Sequence, residues 1–259
     1  MKVCNVARET FYQILERVFS GIGVTPNIVE LGVLRGKNAL LMQELIRPGN
    51  LVLIDSWSAS SSAAFTPFDT PPAWIDDVDS AQEYYGGSLL EQATFDRLYE
   101  ECRIAFADKG KVHFIRSDSV SAITRIRGDT GLESFEVVYI DANHQYEYIL
   151  RDLILYQDLV APEGCIILND CCFSELGVRQ NLGVLEAVSN FVKRSNFIPV
   201  ALTNTDWSDL ILVRKGALMY EYIDQIITNS DIAWVDVPHQ LLPAAKVVTG
   251  RSRVNISFV

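Results

Sequence analysis

The chain has 259 residues, a formal net charge of −11 and 49% hydrophobic residues. That hydrophobic content supports a packed core and excludes a disordered chain, while the acidic balance argues against a grip on a nucleic-acid backbone. No apolar run reaches membrane-spanning length, and the opening MKVCNVARETFYQILERVF carries charges where a signal peptide needs an apolar stretch, so a cytoplasmic protein that binds neither membrane nor nucleic acid is expected.

NIVELG (27–32) predicts a strand, and GKNALLMQELI (36–46) has the three-to-four apolar spacing of a helix. LVLID (51–55) and VHFIRS (112–117) predict two more strands, the second followed by the helix SVSAITRI. FEVVYID (135–141) leads into the helix YEYILRDLILYQDLV (146–160), and GCIILND (164–170) into the helix LGVLEAVSNFVKRS (182–195). FIPVAL and DLILVRK close the series as strands joined by TNTDWS. Strands alternating with helices imply a doubly wound, mostly parallel α/β sheet. The last connection is too short for a parallel crossover, so the last strand should be antiparallel.

Residues 1–215 read as one domain with a long insertion at 58–90, rich in Ser, Pro, aromatic and acidic residues. Its length suggests a lid or substrate loop, with Phe65, Phe68, Trp74, Tyr84 and Tyr85 available to stack on a ligand or to pack as its own core. Residues 216–259 read as an extension of one short helix and two strands, packing on the core or on a partner subunit of a homo-oligomer. Cys4, Cys102, Cys165, Cys171 and Cys172 form no CxxC pair and no metal-finger spacing, which suits reduced thiols. His113, inside an apolar strand, and His239, after a proline, read as structural.

Strand ends in such a sheet carry the ligand. VELGVLRGKNA places Glu30, Gly32 and Gly36 at the first crossover, in the pattern E-x-G-x-x-x-G rather than the G-x-G-x-x-G of dinucleotide binders. The glycines permit a tight turn and close backbone approach. Glu30 disfavours a pyrophosphate and suits a cationic ligand such as S-adenosylmethionine, which carries a sulfonium and an ammonium. Asp55, with Ser56 beside it, ends the next strand, where a carboxylate can accept ribose hydroxyls. Asp118 and Ser119 end the third, at the place for an adenine edge.

VELGVLRGKNA, LVLIDSW, IDANHQYEYILRDL and APEGCIILND together resemble the class I S-adenosylmethionine-dependent methyltransferases, with a Rossmann-like fold, over roughly residues 25–215. Within them the chain most resembles the macrocin-type O-methyltransferases acting on natural-product sugars. The resemblance implies methyl transfer to a small-molecule hydroxyl. It places Asp141 beside the cofactor as well as at a divalent metal such as Mg²⁺, and makes His144 the proposed base.

The residues themselves support a metal site. If the strands ending at Asp141 and at Asn169 and Asp170 are neighbours, two carboxylates and an amide oxygen converge, all hard ligands for Mg²⁺ or Ca²⁺. The resembling family has two adjacent acids at the second strand end, and here the first is Asn169; catechol-type methyltransferases also use two aspartates and one asparagine. The simpler alternative makes Asp141 a helix cap and His144 a surface residue. At the level of function, the alternatives are an NAD(P) oxidoreductase, disfavoured by the missing dinucleotide fingerprint, and a non-catalytic cofactor-binding protein of the same fold.

Overall fold

The structure, a computed structural model, describes residues 1–65, 78–173, 183–249 and 254–258. The chain opens with β1 (Lys2–Cys4), α1 (Arg8–Gly21), β2 (Asn27–Leu31), α2 (Lys37–Leu45) and β3 (Asn50–Asp55). Then come α3 (Ala59–Phe65), α4 (Val78–Tyr85), α5 (Gln92–Ala105), β4 (Val112–Arg116), α6 (Ser119–Thr130) and β5 (Phe135–Ile140). The second half holds α7 (Tyr146–Tyr156), β6 (Val160–Leu168), α8 (Val184–Arg194), β7 (Phe197–Thr203) and β8 (Leu210–Arg214). It ends with α9 (Leu218–Thr228), β9 (Trp234–Asp236), β10 (Lys246–Thr249) and β11 (Val254–Ser257).

Among the described residues, a nine-stranded sheet runs β4-β3-β2-β5-β6-β8-β7-β1-β9. Strands β4, β3, β2, β5 and β6 are mutually parallel, and β8 is antiparallel to both β6 and β7. This is the doubly wound α/β fold with an antiparallel last strand that the alternating pattern implies. The chain runs outward from β2 in one direction and from β5 in the other. The cleft above that reversal is where ligands bind in open α/β sheets.

Strand residues alternate between two cores. Ile28, Leu53, Val137, Tyr139 and Ile167 pack under α1, α2, α5 and α9. Val29, Ile54, Val138, Ile140 and Leu168 pack under α6, α7 and α8. Glu30 falls in the first set by its position in β2, so a carboxyl group is carried into an apolar layer.

Several elements differ from the sequence expectation. The helix expected through residue 160 stops at Tyr156, followed by a 3₁₀ turn at Gln157–Leu159. Arg214 Nη2 donates to both Gln157 O and Val160 O at 2.8 Å, which ties that turn to β8 and starts β6 earlier than expected. Helix α5 was not anticipated; its stripe is only Phe95, Leu98 and Cys102, set among charges. Strand β1 was not anticipated either, because its partner β7 lies some two hundred residues away in the chain. Among the described residues after 215, α9 buries Met219, Ile223 and Ile227 in the first core layer, and β9 pairs antiparallel with β1. In the insertion, α3 and α4 flank residues 66–77, which lie outside the described residues, as do Phe68, Trp74 and the side chain of Phe65.

The turns after β2 and β5 pass almost in contact. Gly32 has φ +81°, and a Cβ there would lie 2.0 Å from the Asp141 carbonyl oxygen and 2.6 Å from Ala142 Cα. Gly128, exposed in α6, has nothing within 4 Å of a built Cβ. In urea denaturation, Gly128→Ala should raise stability by about 0.5–1 kcal/mol, as for any open helix-interior glycine. Gly32→Ala should lower it by about 3 kcal/mol or more, since backbone must move against backbone. Equal stability of the two variants would mean that the two turns do not touch in solution.

Candidate functional site

The carboxyl ends of β2, β3 and β5 and the start of α6 enclose a cavity of about 1120 Å³. Glu30, Gly32, Asp55, Ser56, Asp118, Ser119, Asp141 and His144 all line it, which gathers most of the residues singled out from sequence. Gly36 does not line it. At φ +75° it starts α2, and a Cβ there would meet Phe106 Cε2 at 2.8 Å and Cys102 Sγ at 2.9 Å. The absence of a side chain there lets α2 pack on α5. Gly32, too, is required by a protein contact, the Asp141 carbonyl.

Asp55 organises the first crossover. Its Oδ2 accepts from Val33 N and Leu34 N, both at 2.9 Å, and its Oδ1 from Trp57 N at 2.9 Å. Leu34 and Trp57 are bulky residues at φ +51° and +38°, conformations that cost energy and need such support. Trp57 Nε1 closes the unit by donating to Leu34 O at 2.8 Å. Each oxygen of a carboxylate accepts two donors, so Asp55 keeps capacity for a ligand hydroxyl.

Asp118 caps α6, accepting from Val120 N and Ser121 N at 3.0 and 2.9 Å. Burial pushes its carboxyl up, but the backbone donors outweigh that and hold it below its usual range. Ser119 is engaged within the protein: its hydroxyl donates to buried Asp152 at 2.6 Å and accepts from Arg151 at 3.0 Å.

On the other side, β5 and β6 are sheet neighbours, so Asp141 and Asp170 converge as expected. His144 lies between them, with Nε2 3.0 Å from Asp141 Oδ1 and Nδ1 3.3 Å from Asp170 Oδ2. One ligand atom from each of the three lies within 4.8 Å of the others. Asp170 is 2% exposed at φ +57°, and its Oδ1 has no hydrogen-bond partner among the described residues. Burial raises its carboxyl above the usual range, and His144 opposes the shift. Two carboxylates, one with an unpartnered buried oxygen, fit a divalent cation, and His144 stands between them.

Asn169 is held differently from the expected cation ligand. Its Nδ2 donates to Asp209 Oδ1 at 3.0 Å and reaches Trp207 O at 3.4 Å. Asp209 is fully buried, also accepts from Tyr139 at 3.1 Å, and has Arg8 Nε 3.2 Å from its Oδ2. The amide oxygen is what remains of Asn169 for a cation. Asp209 itself, with Arg8, Tyr12 and Asn38, was not singled out from sequence, because no local spacing links positions so far apart. Trp207, 38% exposed, and Tyr84, 63% exposed, also line the cavity.

The family described as Methyltransferase domain matches residues 29–171, from β2 to just past the β6 end. The chain belongs to this family. No curated protein matches the sequence. Among solved structures, a Staphylococcus aureus protein provisionally named a caffeoyl-CoA O-methyltransferase shares the fold at TM-score 0.51 and 12% identity, over 82% of this chain and 86% of its own. An O-methyltransferase from Bacillus cereus in complex with SAH aligns at TM-score 0.47 and 16% identity, over 82% and 83%. An O-methyltransferase from Streptomyces achromogenes, involved in tomaymycin synthesis and in complex with SAM, aligns at TM-score 0.47 and 15% identity, over 82% of each chain. In this methyltransferase, Arg8 and Trp207 line the cavity although they lie outside the matched segment, and Tyr12 and Asp209, also outside it, contact Asn38 and Arg8 of that wall.

Two measurements test this electrostatic arrangement. Burial raises the Glu30 carboxyl from 4.5 to about 8. Between those values the folded chain keeps a proton that the unfolded chain has released, so stability falls as pH rises, by about 1.4 kcal/mol per pH unit for one group. Glu30→Gln removes that slope. Its thermal stability should gain on the native protein from about pH 5 to about pH 8 and level off above, and a pH-independent difference would contradict the assignment. Asn169→Asp would set a carboxylate against buried Asp209 and should cost about 3 kcal/mol or more in denaturation. Unchanged stability would show that the amide is not part of this network.

Proposed function

We propose that this methyltransferase moves the methyl group of S-adenosylmethionine to a hydroxyl of a small molecule, with a divalent cation such as Mg²⁺ held by Asp141 and Asp170. The observation that carries the reading is the convergence of Asp141, His144 and Asp170 at adjoining strand ends beside the cavity. A bound divalent cation would lower the pKa of a hydroxyl that it coordinates.

The chain's own residues supply the rest. Asp141 and Asp170 would hold the cation, with the Asn169 amide oxygen available as a neutral ligand. His144 lines the cavity and takes the acceptor's proton on a ring nitrogen. On the cofactor side, Glu30 lines the cavity with an unpartnered Oε2, which suits a cationic ligand better than a pyrophosphate. Asp55 and Asp118 offer acceptors for ribose and adenine. Trp207 and Tyr84 present exposed rings that would cover the face of a cyclic acceptor. The likeness to the macrocin-type enzymes supports a natural-product sugar as that acceptor.

Calorimetry should show binding of S-adenosylmethionine and none of NAD or NADP. Methyl transfer to a panel of polyols and catechols should vanish with a chelator and return with Mg²⁺. Asp141→Ala should lose both metal binding and turnover. His144→Ala should keep the metal while turnover falls by roughly 10²–10⁴-fold, the scale of a lost general base. Full transfer by metal-free protein would overturn the metal-assisted mechanism and leave His144 acting on an uncoordinated hydroxyl.

A further inference from the structure

A buried acid behind the Asp141–His144–Asp170 cluster dictates which end of a neighbouring amide that cluster receives. Asp209 lies just before β8 and is fully buried. Its Oδ1 accepts the Tyr139 hydroxyl at 3.1 Å and Asn169 Nδ2 at 3.0 Å, and its Oδ2 faces Arg8 Nε at 3.2 Å. The backbone is fixed as well: Asp209 N donates to Thr203 Oγ1 at 2.8 Å, and Thr203 N donates to Asp209 O at 3.0 Å. The residue is thus gripped from β5, from the end of β6, from β7 and from α1.

Asn169 Nδ2 carries two hydrogens. One goes to Asp209 Oδ1, and the group also reaches Trp207 O at 3.4 Å. A carboxylate and a carbonyl only accept hydrogen bonds. An amide oxygen turned toward them would meet lone pairs, so these two neighbours admit the NH₂ end alone. In the sheet, β6 lies between β5 and β8. With its nitrogen held on the β8 side, the planar amide sends its oxygen the other way, to the side where Asp141 follows β5.

We propose that Asp209 is a positioning residue for the cation: by taking the Asn169 NH₂ group it turns the Asn169 amide oxygen toward Asp141 and Asp170. This rests on the metal reading above. A reversed amide would aim N–H donors at the cation and remove the ligand. Asparagine at position 209 could not enforce the choice, because it can present either a donor or an acceptor. Arg8 and Tyr139 compensate the charge of Asp209, which lets a carboxylate serve there while buried. Asp209 lies outside the segment that matches the family.

The test is Mn²⁺ binding measured by calorimetry without cofactor. Asp209→Asn should weaken Mn²⁺ about 10- to 100-fold, the scale of losing a partner that orients a metal ligand. The substitution also removes a negative charge near the cation, and a double-mutant cycle separates the two effects. Asn169→Leu deletes the amide, and in that background Asp209→Asn should cause little further loss. An equal factor in both backgrounds would mark charge alone and overturn the proposal, as would unchanged Mn²⁺ affinity in Asp209→Asn. If the variants do not fold, NMR of the unmodified protein decides. The Asn169 side-chain amide protons should exchange slowly with solvent, and Mg²⁺ should shift the side-chain carbonyl carbon. Fast exchange, or a carbonyl carbon that saturating Mg²⁺ leaves unmoved, would overturn the assignment. If the unmodified protein binds no Mn²⁺, the metal reading itself fails and the positioning role falls with it.

Discussion

The contact between the turns after β2 and β5 is the constraint on which the site depends. The Gly32 backbone lies so close to the Asp141 carbonyl that a Cβ would sit 2.0 Å from its oxygen. Only a residue without a side chain, and with φ +81°, can pass there. The contact locks the ends of two parallel strands from which the chain winds outward in opposite directions, and so fixes the mouth of the cleft between them. Asp55 reinforces it from β3, holding Val33, Leu34 and Trp57 through their backbone N–H groups. Strain at Leu34 and Trp57 is thus carried by a carboxylate whose remaining capacity faces the cavity.

The second consequence is electrostatic. Glu30, Asp170 and Asp209 are buried near one another, and burial raises all three carboxyl groups, Asp209 to about 6. Burying acids this way costs stability unless each has a partner. The partners come from across the fold: Asn38 for Glu30, His144 for Asp170, and Arg8, Asn169 and Tyr139 for Asp209. The unpartnered oxygens, Glu30 Oε2 and Asp170 Oδ1, lie on either side of Asp141, one toward the first crossover and one toward the β6 end. Such a site is built to receive positive charge, which fits a sulfonium cofactor and a divalent cation better than any anionic ligand.

The flanking elements complete this arrangement rather than merely extending the fold. Strand β1 joins the sheet beside β7, β9 covers β1, and α9 packs on α1 in the first core layer. Together they seat α1 so that Arg8 and Tyr12 face the strand ends. The family match begins at residue 29, so the cation in the acid cluster comes from a part of the chain outside the matched segment.

The sequence by itself determined the alternation of strands and helices, the antiparallel last strand and the strand-end positions of Glu30, Asp55, Asp118, Asp141 and Asp170. These follow from local periodicity and from the rule that a parallel sheet presents its ligand at carboxyl ends, and both are written in consecutive residues. The tertiary structure alone decided what those residues touch. Gly36 faces Cys102 and Phe106, the Asn169 amide faces Asp209, and Arg8 reaches Asn38 and Asp209. Strand β1 and helix α5 escaped the pattern because one is three residues long with a distant partner and the other carries a thin apolar stripe. Contacts between residues far apart in the chain leave no spacing to read, since chain folding and not local preference brings them within hydrogen-bonding distance.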